Sequence, residues 1–242
     1  MATENPLHQF AIERLIPLQI GGVDASYTNS ALMMSVAVVL IAAFVLLTTR
    51  GAALVPGRWQ STAEMLYEFI AKMVDDNAGE GARPYLPFVF SLFMFILFGN
   101  LLGMIPYSFT FTSHIIVTFA LAAVVFVGVT VIGIAKHGFH FLSLFAPHGV
   151  PKALLLLLVP IEVLSYFIRP FTLSIRLFAN MMAGHTMLAI FAGFVAVLGL
   201  AGVLPLAVDV ALVLLELLVA VLQAYVFAIL TCLYLHDALH LH

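Results

Sequence analysis

The chain has 242 residues, 64% of them apolar and only 9% charged, with a formal net charge of -3. Soluble domains carry about a quarter charged residues, so this composition excludes a water-soluble globule and points to the bilayer as solvent. No basic tract offers a nucleic-acid surface, and the single cysteine, Cys232, excludes an intramolecular disulfide or a cysteine-based metal cluster.

Residues 1–28 mix Glu4, Glu13, Arg14 and Asp24 with prolines and lack the basic-then-apolar layout of a cleavable signal. They read as an external N-terminal segment. A span needs about 20 mostly apolar residues, and the first such run is 31–48. Arg50 and Pro56-Gly57 end it. An interfacial helix is expected at 59–80, with Met65, Leu66, Phe69, Ile70, Met73 and Val74 on one stripe. Residues 87–105 span next and stop at Pro106, and 114–135 span back to Lys136. The histidine- and glycine-rich segment 138–151, with His137, His140 and His148, reads as an interfacial loop.

Beyond Lys152 the chain is apolar almost to its end, broken only by Gly199, Gly202 and Pro205. This predicts a hairpin of two long helices over 153–235, near 153–200 and 206–235. The first is longer than a perpendicular span and must tilt or kink, with Pro160 and Pro170 as candidate kinks. The fold class is therefore an all-α polytopic membrane protein. It has about five membrane helices, the last two long and tilted, plus one interfacial amphipathic helix, in a single membrane domain over 1–242. Arg50, Arg58, Lys72 and Arg83 fall in the first loop, Lys136 and Lys152 in the third, and no Lys or Arg in 107–113. The positive-inside rule then puts the N-terminus outside and the C-terminus in the cytoplasm.

Several ionisable groups lie within the last two apolar helices. A charge at the bilayer centre costs ~2.5–3.5 kcal/mol on the mildest scale, so such residues default to function. Arg176 is the clearest, set among Leu173, Ile175, Leu177 and Phe178. Glu162, Arg169, Arg176 and Asn180 fall within about 40° of one another at 100° per residue. His185 is about 180° round from Arg176 and ~14 Å along, so it is expected to face elsewhere. Asp209, Glu216 and Gln223 repeat by sevens on the last helix. A polar stripe on an apolar helix must face protein or water. An antiparallel hairpin brings His185, Asp209 and Glu216 to the same side, with Gln223 deeper.

Histidine with glutamate in a wet seam suits proton relay. Arginine stays protonated and cannot relay. It needs an anionic partner, and neither stripe places an acid at the level of Arg176. The histidines of the C-terminal segment, His236, His240 and His242, lack a closed metal-ligand set and read as a surface tail. Asn100 within a span marks helix-to-helix hydrogen bonding. A secondary antiporter would show two related halves, and none is evident. A purely structural anchor gives no reason for a buried arginine and two polar stripes.

The run from Thr172 to His185, TLSIRLFANMMAGH, resembles the hallmark helix of subunit a of F-type ATP synthases. The segment from Ser91 to Pro106, with GNLLGMIP from Gly99, resembles another of its familiar segments, and Glu216 with Gln223 is similar to its last helix. The match runs from about residue 30 to the end. The resemblance implies a non-catalytic, cofactor-free membrane subunit of a bacterial inner membrane. Its implied partners are a c-subunit ring, b-type peripheral stalk subunits and the lipid bilayer. It assigns Arg176 to face the ring carboxylate, with Asn180 and Gln223 beside it. His185 and Glu216 take the outer half-channel, with Asp209 near them. Glu162 takes the inner half-channel, with Ser165 and Arg169 beside it.

Overall fold

A computed structural model describes residues 11–240 apart from positions 18, 21, 22, 25, 51, 52, 54, 106, 107 and 146–151. Pro106 and His148 thus lie outside the described residues. Among the described residues six α-helices follow one another: α1 Asn29–Thr49, α2 Arg58–Ala78, α3 Leu86–Gly103, α4 Ile115–His137, α5 Lys152–Leu198 and α6 Val203–Leu239. All but α2 are long and apolar enough to cross a membrane, and the chain is an integral membrane protein. At 47 residues, α5 runs ~70 Å against a hydrocarbon core of ~30 Å. Pro160 and Pro170 lie inside it without ending it. Only 6% of the apolar window on α5 and 11% of that on α6 is buried within the chain. Their outer faces therefore need lipid or another apolar chain.

Packing groups the chain into two units. One comprises Met1–Gly51, Met94–Val117 and Leu177–Ala224; the other comprises Ala52–Phe93, Thr118–Arg176 and Tyr225–His242. In the first, strand β1 (Arg14–Ile16) pairs antiparallel with β4 (Tyr27–Thr28), and β2 (Gln19–Ile20) with β3 (Val23–Asp24). The sequence reading left these ribbons out, because two- and three-residue strands carry too little alternation to register. Thr28 caps α1, its hydroxyl accepting from the Ala31 amide at 3.3 Å. Ala37, Phe109 and Phe111 form a buried cluster. Gly99 makes room for it, since a Cβ there would overlap the Phe111 ring. Next to it, Asn100 is fully buried and its Nδ2 donates to the Ala220 carbonyl of α6 at 3.3 Å. The turn into α6 follows helix-end chemistry. Gly199 adopts φ +55, and Pro205 occupies the first turn of α6, where its missing N–H costs nothing.

In the second unit α2 buries Ile70, Met73, Val74 and Ala78. Met65 and Phe69 of the expected stripe stay exposed, because the apolar arc is wider than one packing contact. Arg83 donates to Asp75 through two nitrogens at 3.1 and 3.0 Å. The guanidinium holds the Asp75 carboxyl below its ordinary range.

Two expectations are corrected here. Residues 138–145 form a 3-10 turn rather than a plain loop, and it buries Phe141 over Gly133, where a Cβ would overlap the ring. The last helix continues past Leu235 to Leu239, so residues 236–239 are not a surface tail. Ala238 and Leu239 are buried, and the Leu239 carbonyl lies 3.4 Å from Lys136 Nζ and 3.2 Å from His137 Nε2. A cationic donor at a helix C-terminus satisfies an orphan carbonyl and favours the dipole.

Candidate functional site

In the first unit, α5 and α6 bring the expected polar residues together in two steps. His185 Nδ1 lies 2.7 Å from Glu216 Oε1, with the side chains only 10% and 4% exposed. The separation is that of an ion pair, and both Oε1 and Oε2 are buried without a hydrogen-bond donor among the described residues. Gly184 permits the approach, because a Cβ there would stand 2.7 Å from Oε1. One helical step away, Asn180 Nδ2 donates to Gln223 Oε1 at 2.9 Å. The Gln223 amide nitrogen is buried without a partner among the described residues.

Asn180 and His185 are about 140° apart on an ideal helix, yet both reach the Glu216–Gln223 stripe. The expectation that His185 faces a different side from the stripe of Arg176 and Asn180 is thereby corrected for Asn180, while its expected place beside Glu216 holds. Two long side chains from opposite edges of one helix face converge on the neighbouring helix. Asp209 is half-buried near the start of α6, and its Oδ1 is buried without a donor among the described residues. A cleft of about 240 Å³ opens beside the pair, lined by Asn180, Ala183, Gly184, Met187, Leu212 and Glu216 among others.

The sequence reading missed one member of this cluster. Thr110 Oγ1 lies 2.7 Å from His185 Nε2 and donates to the Gly103 carbonyl at 3.1 Å. Thr110 sits in the short connection before α4, where no periodicity marks it.

The second unit carries the remaining candidates. Arg176 is exposed on α5, and no hydrogen bond or ion pair among the described residues engages its guanidinium. Glu162 is half-buried and Ser165 exposed. Arg169 is held by Asp237 Oδ2 at 2.9 Å. Its guanidinium also lies over the rings of Tyr166 and Tyr234, with centroids at 5.5 and 5.0 Å. The partner Asp237 was hidden in the presumed tail. Among the described residues no group of three or more His, Cys, Asp and Glu side chains could hold a metal ion. Chemically, then, the chain offers a buried histidine–carboxylate pair, an amide pair and an arginine presented outward.

A family model described as ATP synthase A chain matches residues 31–236. The chain belongs to the ATP synthase subunit a family. The subunit a of Paramagnetospirillum magneticum is 58% identical over 98% of this chain and 99% of its own length. That of Parvibaculum lavamentivorans is 61% identical over 98% and 94%, and that of a Chelativorans species is 60% identical over 99% and 99%. Membership accounts for the resemblance read from the arginine helix, and it ties the chain to ATP synthesis and ion transport. The buried pair and the outward arginine are thus features of a subunit of the ATP synthase complex.

Proposed function

We propose that this chain is the proton-conducting stator subunit of its ATP synthase, delivering protons through two aqueous half-channels to and from the carboxylates of a c-subunit ring. The observation that carries this reading is Arg176, exposed in the middle of an apolar helix with no acid of the described chain at its guanidinium. A permanent cation so placed needs an anion from a neighbour.

A proton enters from the outer side through Asp209, His185 and Glu216. It neutralises a ring carboxylate, which then turns into lipid at tolerable cost. After nearly a full turn the carboxylate meets Arg176, ionises beside the fixed positive charge and releases its proton inward past Glu162, near Ser165 and Arg169. Asn180 and Gln223 tie α5 to α6 by their amide bond and keep the seam polar. Arg176 also blocks a direct leak between the two half-channels. The membrane field supplies ~2.3 kcal/mol per charge per 100 mV. In this reading the N-terminus is outside, the C-terminus is cytoplasmic, the membrane is a bacterial inner membrane, and b-type stalk subunits hold the chain against rotation.

Purification of the tagged chain from gently solubilised membranes tests the assignment. The c-ring and the stalk subunits are expected to come with it. Recovery of the chain without a ring, from membranes that make ATP, would refute the reading.

A further inference from the structure

Only 6% of the apolar window on α5 is buried within the chain, so few contacts decide how that helix stands. Within the second unit α4 supplies a row of them. Phe119 meets Phe171 with ring centroids 5.2 Å apart, and Phe126 meets Tyr166 and Phe167 at 4.9 and 5.7 Å. Residue numbers rise along α4 as they fall along α5, so the two helices run antiparallel. A hydroxyl pair closes each end of the row. Thr118 Oγ1 and Ser174 Oγ lie 3.1 Å apart, in residues 0% and 1% exposed. Thr130 Oγ1 and Tyr166 Oη lie 2.6 Å apart. The Tyr166 ring also faces the Arg169 guanidinium, and Ser174 stands two residues before Arg176.

These contacts differ in selectivity. Apolar rings tolerate a slide of one turn, whereas a hydroxyl pair inside a bilayer loses its polar partner. A slide of one turn would set Thr118 against Pro170 or Phe178, neither of which has a polar side-chain group. It would also carry Arg176 ~5.4 Å along the axis, beyond the ~4 Å reach of an ion pair. Rotation is fixed as well. Ser174 and Arg176 point about 160° apart on an ideal helix, so anchoring Ser174 to α4 turns Arg176 away from it.

We propose that Thr118 and Ser174, together with Thr130 and Tyr166, are positioning residues that lock the register and rotation of α5 on α4, and so fix the depth and direction at which Arg176 meets the acid of the passing ring subunit. A stator arginine needs such a lock. Each departing carboxylate draws the guanidinium after it, and an apolar helix face against lipid gives little resistance to sliding. The lock requires only that the two hydroxyls meet, whichever of them donates. The inference rests on the reading of Arg176 given above and adds what holds that residue in place.

The test uses the intact ATP synthase in liposomes. Thr172→Cys, at an exposed position one turn before Arg176, is paired with single cysteines at successive turns of the ring-subunit helix that bears the essential carboxylate. With an otherwise unsubstituted chain, the disulfide is expected at one turn of that helix only. Thr118→Val, which keeps the shape and removes the hydroxyl, and Ser174→Ala should each spread the disulfide to an adjacent turn. Without the introduced cysteines, each should lower ATP synthesis about tenfold. The double variant should be no worse than either single one, because both remove the same contact. Thr118→Ser, which keeps the hydroxyl, should retain the single-turn pattern and the rate. A disulfide still confined to one turn in Thr118→Val and Ser174→Ala, or effects that add in the double variant, would overturn the lock. So would a disulfide spread over several turns with the unsubstituted chain, a result that stands even if Thr118→Val does not assemble. Absence of a disulfide at every ring position, in complexes that make ATP, would remove the reading of Arg176 and the lock with it.

Discussion

Arg176→Ala is expected to abolish proton-driven ATP synthesis in liposomes carrying the assembled complex, while passive proton flux through the membrane sector survives or rises. The two halves of this outcome have one cause. Alanine removes the fixed charge that ionises an arriving ring carboxylate, so rotation loses its direction. It also removes the cation that keeps protons from crossing between the half-channels. A neutral arginine is not available in a protein, whereas lysine loses its proton readily when buried. Arg176→Lys should therefore fail in synthesis too, although it keeps the formal charge in water. The fold gives no reason for collapse, because the Arg176 side chain is exposed and holds no described partner.

Glu216→Gln has a contrasting signature. Glutamine keeps the volume of a side chain that is only 4% exposed but cannot exchange a proton. A positioned acid–base group contributes about 10²- to 10⁴-fold in rate, so passive flux and synthesis should fall together by at least about a hundredfold. The substitution also leaves His185 Nδ1 opposite an amide in place of a carboxyl group. Measured side by side in the same liposomes, the two variants separate: Arg176→Ala uncouples, and Glu216→Gln blocks. Passive flux in Glu216→Gln equal to that of the unsubstituted complex would remove Glu216 from the proton path.

Much of the architecture was legible because the bilayer imposes a length rule. Apolar runs near 20 residues and the punctuation at Pro56-Gly57, Lys136 and Gly199 placed every spanning helix within a few residues. The seven-residue spacing of Glu216 and Gln223, with an antiparallel turn, was enough to expect His185 near Glu216. The actual contact at 2.7 Å also needs Gly184, whose missing Cβ is a packing fact. Thr110 and Asp237 were not legible. Thr110 lies in a connection where no period operates, 75 residues from His185. Asp237 is 68 residues from Arg169 and sits beyond an apparent stop at His236. The helix runs through that stop because the Arg169 ion pair and the burial of Ala238 and Leu239 outweigh the local polarity. The N-terminal ribbons escaped notice for their brevity.

A cross-link tests the central claim most directly. Ala179 is exposed one turn after Arg176, and the chain's own Cys232 is fully buried, so Ala179→Cys offers one reactive thiol beside the guanidinium. With a second cysteine placed one turn from the essential carboxylate of the ring subunit, oxidation of the intact complex should join the two chains and stop ATP synthesis until the disulfide is reduced. Failure to cross-link in a complex that still makes ATP, with the thiols instead reacting freely with a lipid-soluble probe, would show that Arg176 faces something other than the moving acid.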